Sequence, residues 1–155
     1  MRYWLMKTEP DVFSFDDLLR APKKTTSWEG VRNYQARNFM RDDFKVGDLV
    51  FIYHSNAGDE TGIAGIAEVV KGAYGDQAAM NPKSPYFDEK SAKAGASRWV
   101  VVDVRAVRKF KTPVTLSQIK STPGLERMAV VQKGQRLSVQ PVTPQEWGII
   151  EKAAD

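Results

Sequence analysis

The feature that most constrains the fold is the apolar run Leu49–His54, which follows a turn at Val46-Gly47-Asp48. Successive side chains of a β-strand point to opposite faces, and in this run both faces are apolar. Apolar side chains on both faces must be covered from both sides. We therefore expect a sheet that contains this strand, with other elements packed above and below it.

Further strands are predicted by alternating apolar and polar positions. They lie at residues 2–7, 62–70, 99–107 and 136–140. The second of these contains Gly62 and Gly65, and glycines inside a strand indicate a bulge or a sharp bend. A curved sheet is therefore expected.

Short helices are indicated by residues that cap helix starts. In a capping box, a hydroxyl residue and an acidic or amide residue three positions later satisfy two backbone N–H groups reciprocally. The chain has three such pairs: Ser14 with Asp17, Thr115 with Gln118, and Thr143 with Glu146. A further helix is predicted at residues 33–41, with Asn33 as its N-cap and with Ala36, Phe39 and Met40 facing the core.

Two segments lack a regular pattern. Residues 21–30 have the composition of a polar loop. Residues 71–97 show little periodicity, so this longer segment is expected to be irregular and able to act as a lid. Five or six strands in mixed order, with bends and short helices, predict a single α+β domain over residues 1–155. Its sheet is expected to be small and curved, or a partly closed barrel.

Composition excludes several kinds of chemistry. The chain has no cysteine and one histidine, His54, which removes most zinc sites, thiol nucleophiles, redox pairs and the zinc-deaminase signature. No G-x-S-x-G elbow and no glycine-rich phosphate loop is present. We expect no metal, no cofactor and no catalytic residue.

Charge and hydropathy bear on partners and location. The net charge of +4 suits a polyanion such as nucleic acid, but it equally suits a small domain that is merely soluble. No stretch approaches the ~18 apolar residues of a membrane span, and the N-terminal apolar run is too short for a signal peptide. We expect a monomer in the cytoplasm, or in the nucleus of a eukaryotic cell, with no membrane partner.

Three segments gather polar or aromatic residues that propensity does not explain. Lys7-Thr8-Glu9 ends the first strand, and its two charged side chains share a face, where a surface ion pair is the common outcome. Trp28 begins a segment that is rich in amide side chains and arginines. Its indole either fills the core or stacks on an unstacked base, and the amide side chains can form hydrogen bonds with the edge of that base. His54-Ser55-Asn56 leaves the apolar strand and either forms a pocket wall or is satisfied by the backbone.

These segments resemble the EVE domain family. The resemblance rests on residues 3–10, on residues 28–40 with the run Trp-Glu-Gly-Val-Arg-Asn-Tyr-Gln-Ala-Arg-Asn, and on residues 53–56 and 136–139. Tyr86-Phe87-Asp88 and Trp147 extend it over nearly all of the chain. The run that begins at Trp28 is long, which makes the resemblance specific.

The resemblance implies a PUA-like fold, a curved mixed β-barrel of five to six strands flanked by short α-helices. It implies a nucleic-acid partner, DNA rather than RNA, and a pocket at the open end of the barrel for a modified base such as a 5-substituted cytosine. Trp28 would stack on that base, and phosphate contacts are assigned to Arg32, Arg37 and Arg41. The residues expected in or beside the pocket are Lys7, Glu9, Trp28, Arg32, Asn33, Tyr34, Gln35, Asn38, His54, Ser55, Asn56 and Ser138.

Two other functions stay open. The same resemblance relates the chain to ASCH domains, some of which look like amidohydrolases, and Lys7-Thr8-Glu9 would then act as base, nucleophile and acid on a small modified nucleoside. Strand alternation argues against that cluster, because Thr8 should point away from its two neighbours. The third possibility is a protein-interaction domain with a vestigial pocket.

Overall fold

One mixed sheet of six strands forms the centre of the molecule. A computed structural model describes residues 1–154 of the chain. The strands are Tyr3–Thr8 (β1), Thr25–Ser27 (β2), Leu49–His54 (β3), Gly62–Gly75 (β4), Val100–Thr115 (β5) and Val139–Val142 (β6). Their order across the sheet is β2-β5-β4-β3-β1-β6. β1 and β3 are parallel, and all other neighbours are antiparallel.

The sheet is open. Among residues 1–154 no pairing joins β2 to β6, so these two strands are its edges. The predicted α+β class, with five to six strands in mixed order and short flanking helices, is confirmed, but hydrogen bonding does not close the sheet into a barrel. The prediction of a single domain extends to Asp155, which lies outside the described residues.

Five short α-helices flank the sheet in the described chain. They are Phe15–Arg20 (α1), Tyr34–Asn38 (α2), Glu89–Ala94 (α3), Leu116–Lys120 (α4) and Pro144–Ala153 (α5). All three predicted capping boxes are formed, at the starts of α1, α4 and α5. Asn33 caps α2 as predicted, and a π-helical turn, Phe39–Asp43, continues that helix. None of the described helices is long and apolar enough to cross a membrane.

Single helical turns of the 3-10 type complete the described elements. They are Pro22–Lys24, Gly58–Glu60, Gln77–Met80 and Ala129–Val131.

The two faces of the sheet carry separate hydrophobic cores, as the apolar β3 run predicted. On one face, Val50 and Ile52 pack with residues of α1 and α2. On the other face, Phe51 and Tyr53 pack with residues of α4 and α5. The ring of Phe51 stacks on the indole of Trp147, with centroids 3.7 Å apart and an interplanar angle of 11°. Because adjacent β3 residues enter different cores, the strand is covered on both sides.

Several predicted boundaries were wrong, each where distant pairing overrides local composition. The predicted loop at residues 21–30 contains β2, whose hydroxyl-bearing residues pair with Asp103, Val104 and Arg105 of β5. The segment at residues 71–97 is more regular than expected, since it contains the end of β4, a 3-10 turn and α3.

β5 and β6 also differ from their predicted spans. β5 continues to Thr115 instead of ending at residue 107, because its second half pairs with the start of β4, where Thr115 lies opposite Gly62. β6 begins at Val139 instead of residue 136. The predicted bulge in β4 is present, with the pairing register shifted between Ile63 and Gly65.

Candidate functional site

A cleft of about 540 Å³ lies between the two edge regions of the sheet. Its walls come from the end of β1 and the following turn, from β2 and the segment after it, from the loop that precedes α3, and from a serine just ahead of β6. The lining residues are Lys7, Thr8, Glu9, Val12, Phe13, Thr26, Ser27, Trp28, Glu29, Gly30, Val31, Pro85, Tyr86 and Ser138. The open edges of the sheet leave room here for a guest.

Trp28 forms an apolar wall of the cleft. Its backbone N–H donates to the Val102 carbonyl at 2.8 Å, which ties the residue to β5. The indole is only 8% exposed and belongs to the core on the α1 and α2 face. Phe13 meets it edge-on, with centroids 6.2 Å apart and planes at 88°. The sequence left open whether this tryptophan fills the core or faces a ligand, and in the structure its side chain belongs to the core while the residue also lines the cleft.

Lys7 is the basic residue among those that line the cleft. Partial burial lowers the pKa of its ammonium group, because desolvation disfavours the charged form. Its Nζ lies 5.7 Å from the ring centre of Tyr53. The ion pair considered for Lys7 and Glu9 is not formed among the described residues, and Glu9 instead accepts a 3.0 Å hydrogen bond from the Asn56 side chain. The charge of Lys7 is therefore available to an acceptor on a ligand.

The opposite wall is built around a buried carboxylate. Asp76, 1% exposed, accepts hydrogen bonds from the backbone N–H groups of Gly30 and Ala78 and from the Arg32 guanidinium. The same guanidinium donates twice to the Tyr86 carbonyl, at 2.7 and 3.2 Å. Arg32 thus stands behind the wall and fixes the loop that carries Tyr86. This network ties the segment after β2 to the loop that precedes α3.

Only part of the predicted site is brought together in the cleft. Of the residues named from the sequence, Lys7, Glu9, Trp28 and Ser138 line it, and Arg32 braces its wall. The remaining predicted residues lie outside the cleft lining.

The amides of α2 are used within the helix or face solvent. The Asn33 side chain accepts the backbone N–H of Ala36 at 3.0 Å, and Asn38 accepts two hydrogen bonds from the guanidinium of Arg37. Gln35 is exposed on the helix surface.

Tyr34 and Arg37 lie together beside Trp99, outside the cleft lining. The Tyr34 ring stacks on Trp99 with centroids 4.8 Å apart, and the guanidinium of Arg37 lies beside both rings. Arg41 is paired with Asp42 through two hydrogen bonds of 2.8 and 3.0 Å.

The segment after β3 meets the end of β1 from outside the cleft. Nε2 of His54 accepts the backbone N–H of Phe15 at 3.0 Å, so the neutral ring carries its proton on Nδ1. Burial lowers the pKa of this imidazole. The backbone N–H of Ser55 donates to the Thr8 carbonyl, and Asn56 takes a left-handed backbone with φ of +53°. His54 therefore holds the start of α1 against the end of β3.

Several lining residues were not among the predicted site residues. Phe13 and Tyr86 reach the cleft through contacts with distant segments. Thr26 and Ser27 were assigned to a polar loop, whereas they belong to an edge strand that pairs with β5 and lines the cleft. A clue was present in Gly30, since a glycine directly after Trp28-Glu29 allows the close approach of another side chain.

The described residues contain no group of three or more histidine, cysteine, aspartate or glutamate side chains arranged to hold a metal ion. The residues that line the cleft carry the carboxylates of Glu9 and Glu29, the ammonium group of Lys7, several hydroxyls and aromatic rings.

The sequence model of the EVE domain family matches residues 2–153 of this chain. The chain belongs to the EVE domain family. Thymocyte nuclear protein 1 of Homo sapiens is 42% identical to this EVE domain over 164 residues, which cover 96% of this chain and 72% of that protein.

Two solved structures are similar to this EVE domain over nearly their whole length. A protein from Pseudomonas syringae superimposes with a TM-score of 0.92 at 46% identity, covering 99% of each chain. The human THYN1 protein in complex with 5-methylcytosine-containing DNA superimposes with a TM-score of 0.91 at 40% identity, covering 100% of this chain and 98% of that one.

Proposed function

We propose that this EVE domain binds DNA that carries a 5-substituted cytosine and holds the modified base in the cleft beside Trp28, without altering it. The observation that carries the proposal is a preformed cleft with an indole wall, an unpaired ammonium group and several hydroxyls. The complex of the human THYN1 protein with 5-methylcytosine-containing DNA supports it.

The dimensions and chemistry of the cleft suit a nucleobase. Its volume of about 540 Å³ falls within the ~300–1,000 Å³ of typical small-molecule sites. Trp28 supplies an apolar surface for the flat face of the base. Lys7 and the hydroxyls of Thr26, Ser27 and Ser138 supply donors and acceptors for its edge.

A base inside a duplex reaches this cleft only when it leaves the stack. Extrusion costs a few kcal/mol, and stacking on an aromatic side chain returns about 1–3 kcal/mol per base. The Asp76 and Arg32 network lowers the ordering cost further, because the wall is already in place. Arg37 and Arg41 are assigned to the phosphate backbone next to the extruded base.

Discrimination between modified and unmodified cytosine is expected to be modest. Burying one methyl-sized group contributes about 0.8 kcal/mol, which corresponds to about a fourfold difference in dissociation constant. A hydroxyl on the modification would gain more only where one of the lining hydroxyls pairs with it.

The hydrolase hypothesis is less well supported by the geometry. It requires Thr8 as a nucleophile beside Lys7, but the Thr8 hydroxyl donates to the Phe13 carbonyl at 2.8 Å. Its proton is thereby directed at the backbone and away from a base. Mass analysis of the oligonucleotide after incubation tests this directly, since a hydrolase alters the base and a reader leaves it unchanged.

The decisive experiment is a titration of two labelled duplexes that differ only in one 5-methyl group, at a single fixed salt concentration. Wild type is expected to bind both and to prefer the methylated duplex about fourfold. Trp28→Leu, which keeps apolar volume but removes the aromatic plane, should weaken binding about tenfold. Val107→Ala, at an exposed position of β5, is the matched control and should bind like wild type.

Urea unfolding establishes that Trp28→Leu is folded under the binding conditions. Full affinity in the folded variant, or no binding of either duplex by wild type, would refute the proposal.

A DNA partner is consistent with the nuclear name of the eukaryotic relatives and, in a cell without a nucleus, with the cytoplasm.

A further inference from the structure

A second aromatic surface lies outside the cleft, at the start of α2. The Tyr34 ring stacks on the Trp99 indole with centroids 4.8 Å apart and an interplanar angle of 27°. Trp99 is 5% exposed, whereas Tyr34 is 50% exposed. A large aromatic side chain that is held on a buried one and still half exposed presents a flat apolar surface to solvent.

The supporting ring is rigidly held. The Trp99 indole N–H donates to Asp88 at 3.0 Å, and its backbone N–H donates to the Ser97 hydroxyl at 3.1 Å. Asp88 is in turn bound by two nitrogens of Arg98, at 2.7 and 3.2 Å. The indole on which Tyr34 stacks is therefore held in place by neighbouring side chains, which reduces the entropy lost on binding.

Two guanidinium groups lie beside the ring pair and do not cover its outer face. The Arg37 carbon Cζ is 4.8 Å from the Tyr34 centroid and 5.8 Å from that of Trp99. For Arg98 the corresponding distances are 5.8 and 5.5 Å. A group on the outer face of Tyr34 would be much farther from Trp99 than from Tyr34. Because both guanidiniums are near both rings, they flank the stack and leave the outer face open.

The charges around this surface favour an anion. Arg37 donates to the Asn38 side chain and to the Arg98 carbonyl, both of which are neutral acceptors. Among residues 1–154 it forms no direct ion pair with a carboxylate, and the Asp42 carboxylate, which interacts with it electrostatically, is paired with Arg41. An exposed ring beside such a guanidinium matches a nucleotide, which combines a flat base with a phosphate.

The surface adjoins the cleft through one side chain. The Arg32 guanidinium lies 5.6 Å from the ring centre of Tyr86, which lines the cleft, and 5.5 Å from that of Trp99. A strand whose base occupies the cleft can therefore pass over Arg32 and reach Tyr34.

We propose that Tyr34 is a second stacking site, which holds a base flanking the one in the cleft, with the phosphate of that flanking nucleotide beside Arg37. The site takes any of the bases, because each has a π-face and the surface offers no edge-reading pocket. The proposal rests on the proposed function, since the flanking base is delivered by the nucleotide captured next to Trp28.

The test compares two ligands and two positions. The ligands are 5-methyl-2′-deoxycytidine, which can fill only the cleft, and a short single strand with 5-methylcytosine at its centre. Tyr34→Leu should weaken binding of the strand about tenfold and leave binding of the nucleoside unchanged. Tyr34→Phe, which keeps the ring, should bind both ligands like wild type, and Val107→Ala is the control for an exposed apolar position.

The outcomes separate this proposal from the function on which it rests. Wild type that binds neither ligand, or Trp28→Leu that binds both normally, defeats the proposed function. If Trp28→Leu weakens both ligands and Tyr34→Leu weakens neither, the function stands and the second stacking site is wrong. Equal weakening of both ligands by Tyr34→Leu also contradicts the site, because it places the effect in the cleft or in folding.

Salt dependence gives a readout that loss of folding would not produce. Removing one phosphate contact to a single strand should reduce the slope of log K against log salt by about 0.7. Arg37→Gln is expected to show this reduction with the strand, while its nucleoside affinity stays unchanged. An unaltered slope would show that Arg37 does not contact a phosphate of the bound strand.

Discussion

The ring of Tyr86 lies against Gly30 so closely that a Cβ atom on Gly30 would stand 2.6 Å from Cζ of the tyrosine. Gly30 also has a φ of +87°, in the left-handed region that favours glycine. The contact joins the loop before α3 to the segment that carries Trp28. The shape of the cleft therefore depends on one residue having no side chain.

Gly30→Ala is expected to disturb both stability and binding. The left-handed backbone costs an alanine about 1–2 kcal/mol, and displacement of the Tyr86 ring adds about 1–3 kcal/mol. Gly47→Ala is the matched control, because Gly47 has a φ of +96° and nothing within 4 Å of a Cβ. In urea unfolding and DNA titration, Gly47→Ala should show only the backbone cost and bind normally. Equal effects of the two substitutions would contradict the role of the Tyr86 contact.

Asp76→Asn tests the buried carboxylate behind the cleft wall. The asparagine leaves the Arg32 charge without its partner, and breaking a fully buried pair costs about 3–5 kcal/mol. The Arg32 side chain is 24% exposed, so we expect a smaller loss of about 2–3 kcal/mol in the free energy of unfolding. Glu89→Gln, which removes the exposed ion pair with Lys93, should cost at most about 0.5 kcal/mol. Similar losses for the two variants would show that the Asp76 and Arg32 pair contributes no more to the free energy of unfolding than an exposed ion pair does.

Lys7→Met should separate stability from binding. Burial lowers the pKa of the Lys7 ammonium group, which means that the folded state holds this charge at a cost. We expect methionine to raise the urea midpoint while weakening DNA binding, because the cleft loses its cation. Lys90→Met, at an exposed position on α3, should change neither. A variant that is no more stable than wild type, or that binds DNA equally well, would contradict this assignment.

His54 is expected to make stability fall at mildly acidic pH. Desolvation is the main cause that lowers the pKa of its imidazole below the ordinary value of 6.5, while the Asp16 carboxylate acts in the opposite direction. The unfolded chain therefore binds the proton more readily than the folded one. The stabilisation is complete above pH 6.5 and is lost as the pH falls toward the folded-state pKa. The limiting slope for one proton is about 1.4 kcal/mol per pH unit.

Urea unfolding at a series of pH values checks this expectation, with His54→Gln as the comparison. Glutamine can still accept the Phe15 N–H through its side-chain oxygen, but it does not titrate. Its stability should be flatter between neutral and mildly acidic pH. Parallel curves for the two proteins would assign the pH dependence to other groups.

The elements that could be predicted are those whose cause is local. The capping boxes at Ser14, Thr115 and Thr143 form within four residues, so their signals survive in any fold that contains them. The apolar run of β3 indicates burial on both faces, and Gly65 marks the bulge in β4. β2 could not be predicted, because Thr25, Thr26 and Ser27 become a strand only through the backbone of β5.

The candidate site shows the same division between features with a local cause and features that depend on distant contacts. From its residues alone, the chain determined that it has no cysteine and a single histidine, and that β3 is buried on both faces, and it singled out Lys7 and Trp28, which the structure places in the cleft lining. Tertiary structure alone decided that Tyr86 meets Gly30, that Asp76 binds Arg32, and that the amides of α2 lie away from the cleft. Short-range backbone geometry is encoded by neighbouring residues, whereas a cleft exists only where segments distant in sequence pack against each other.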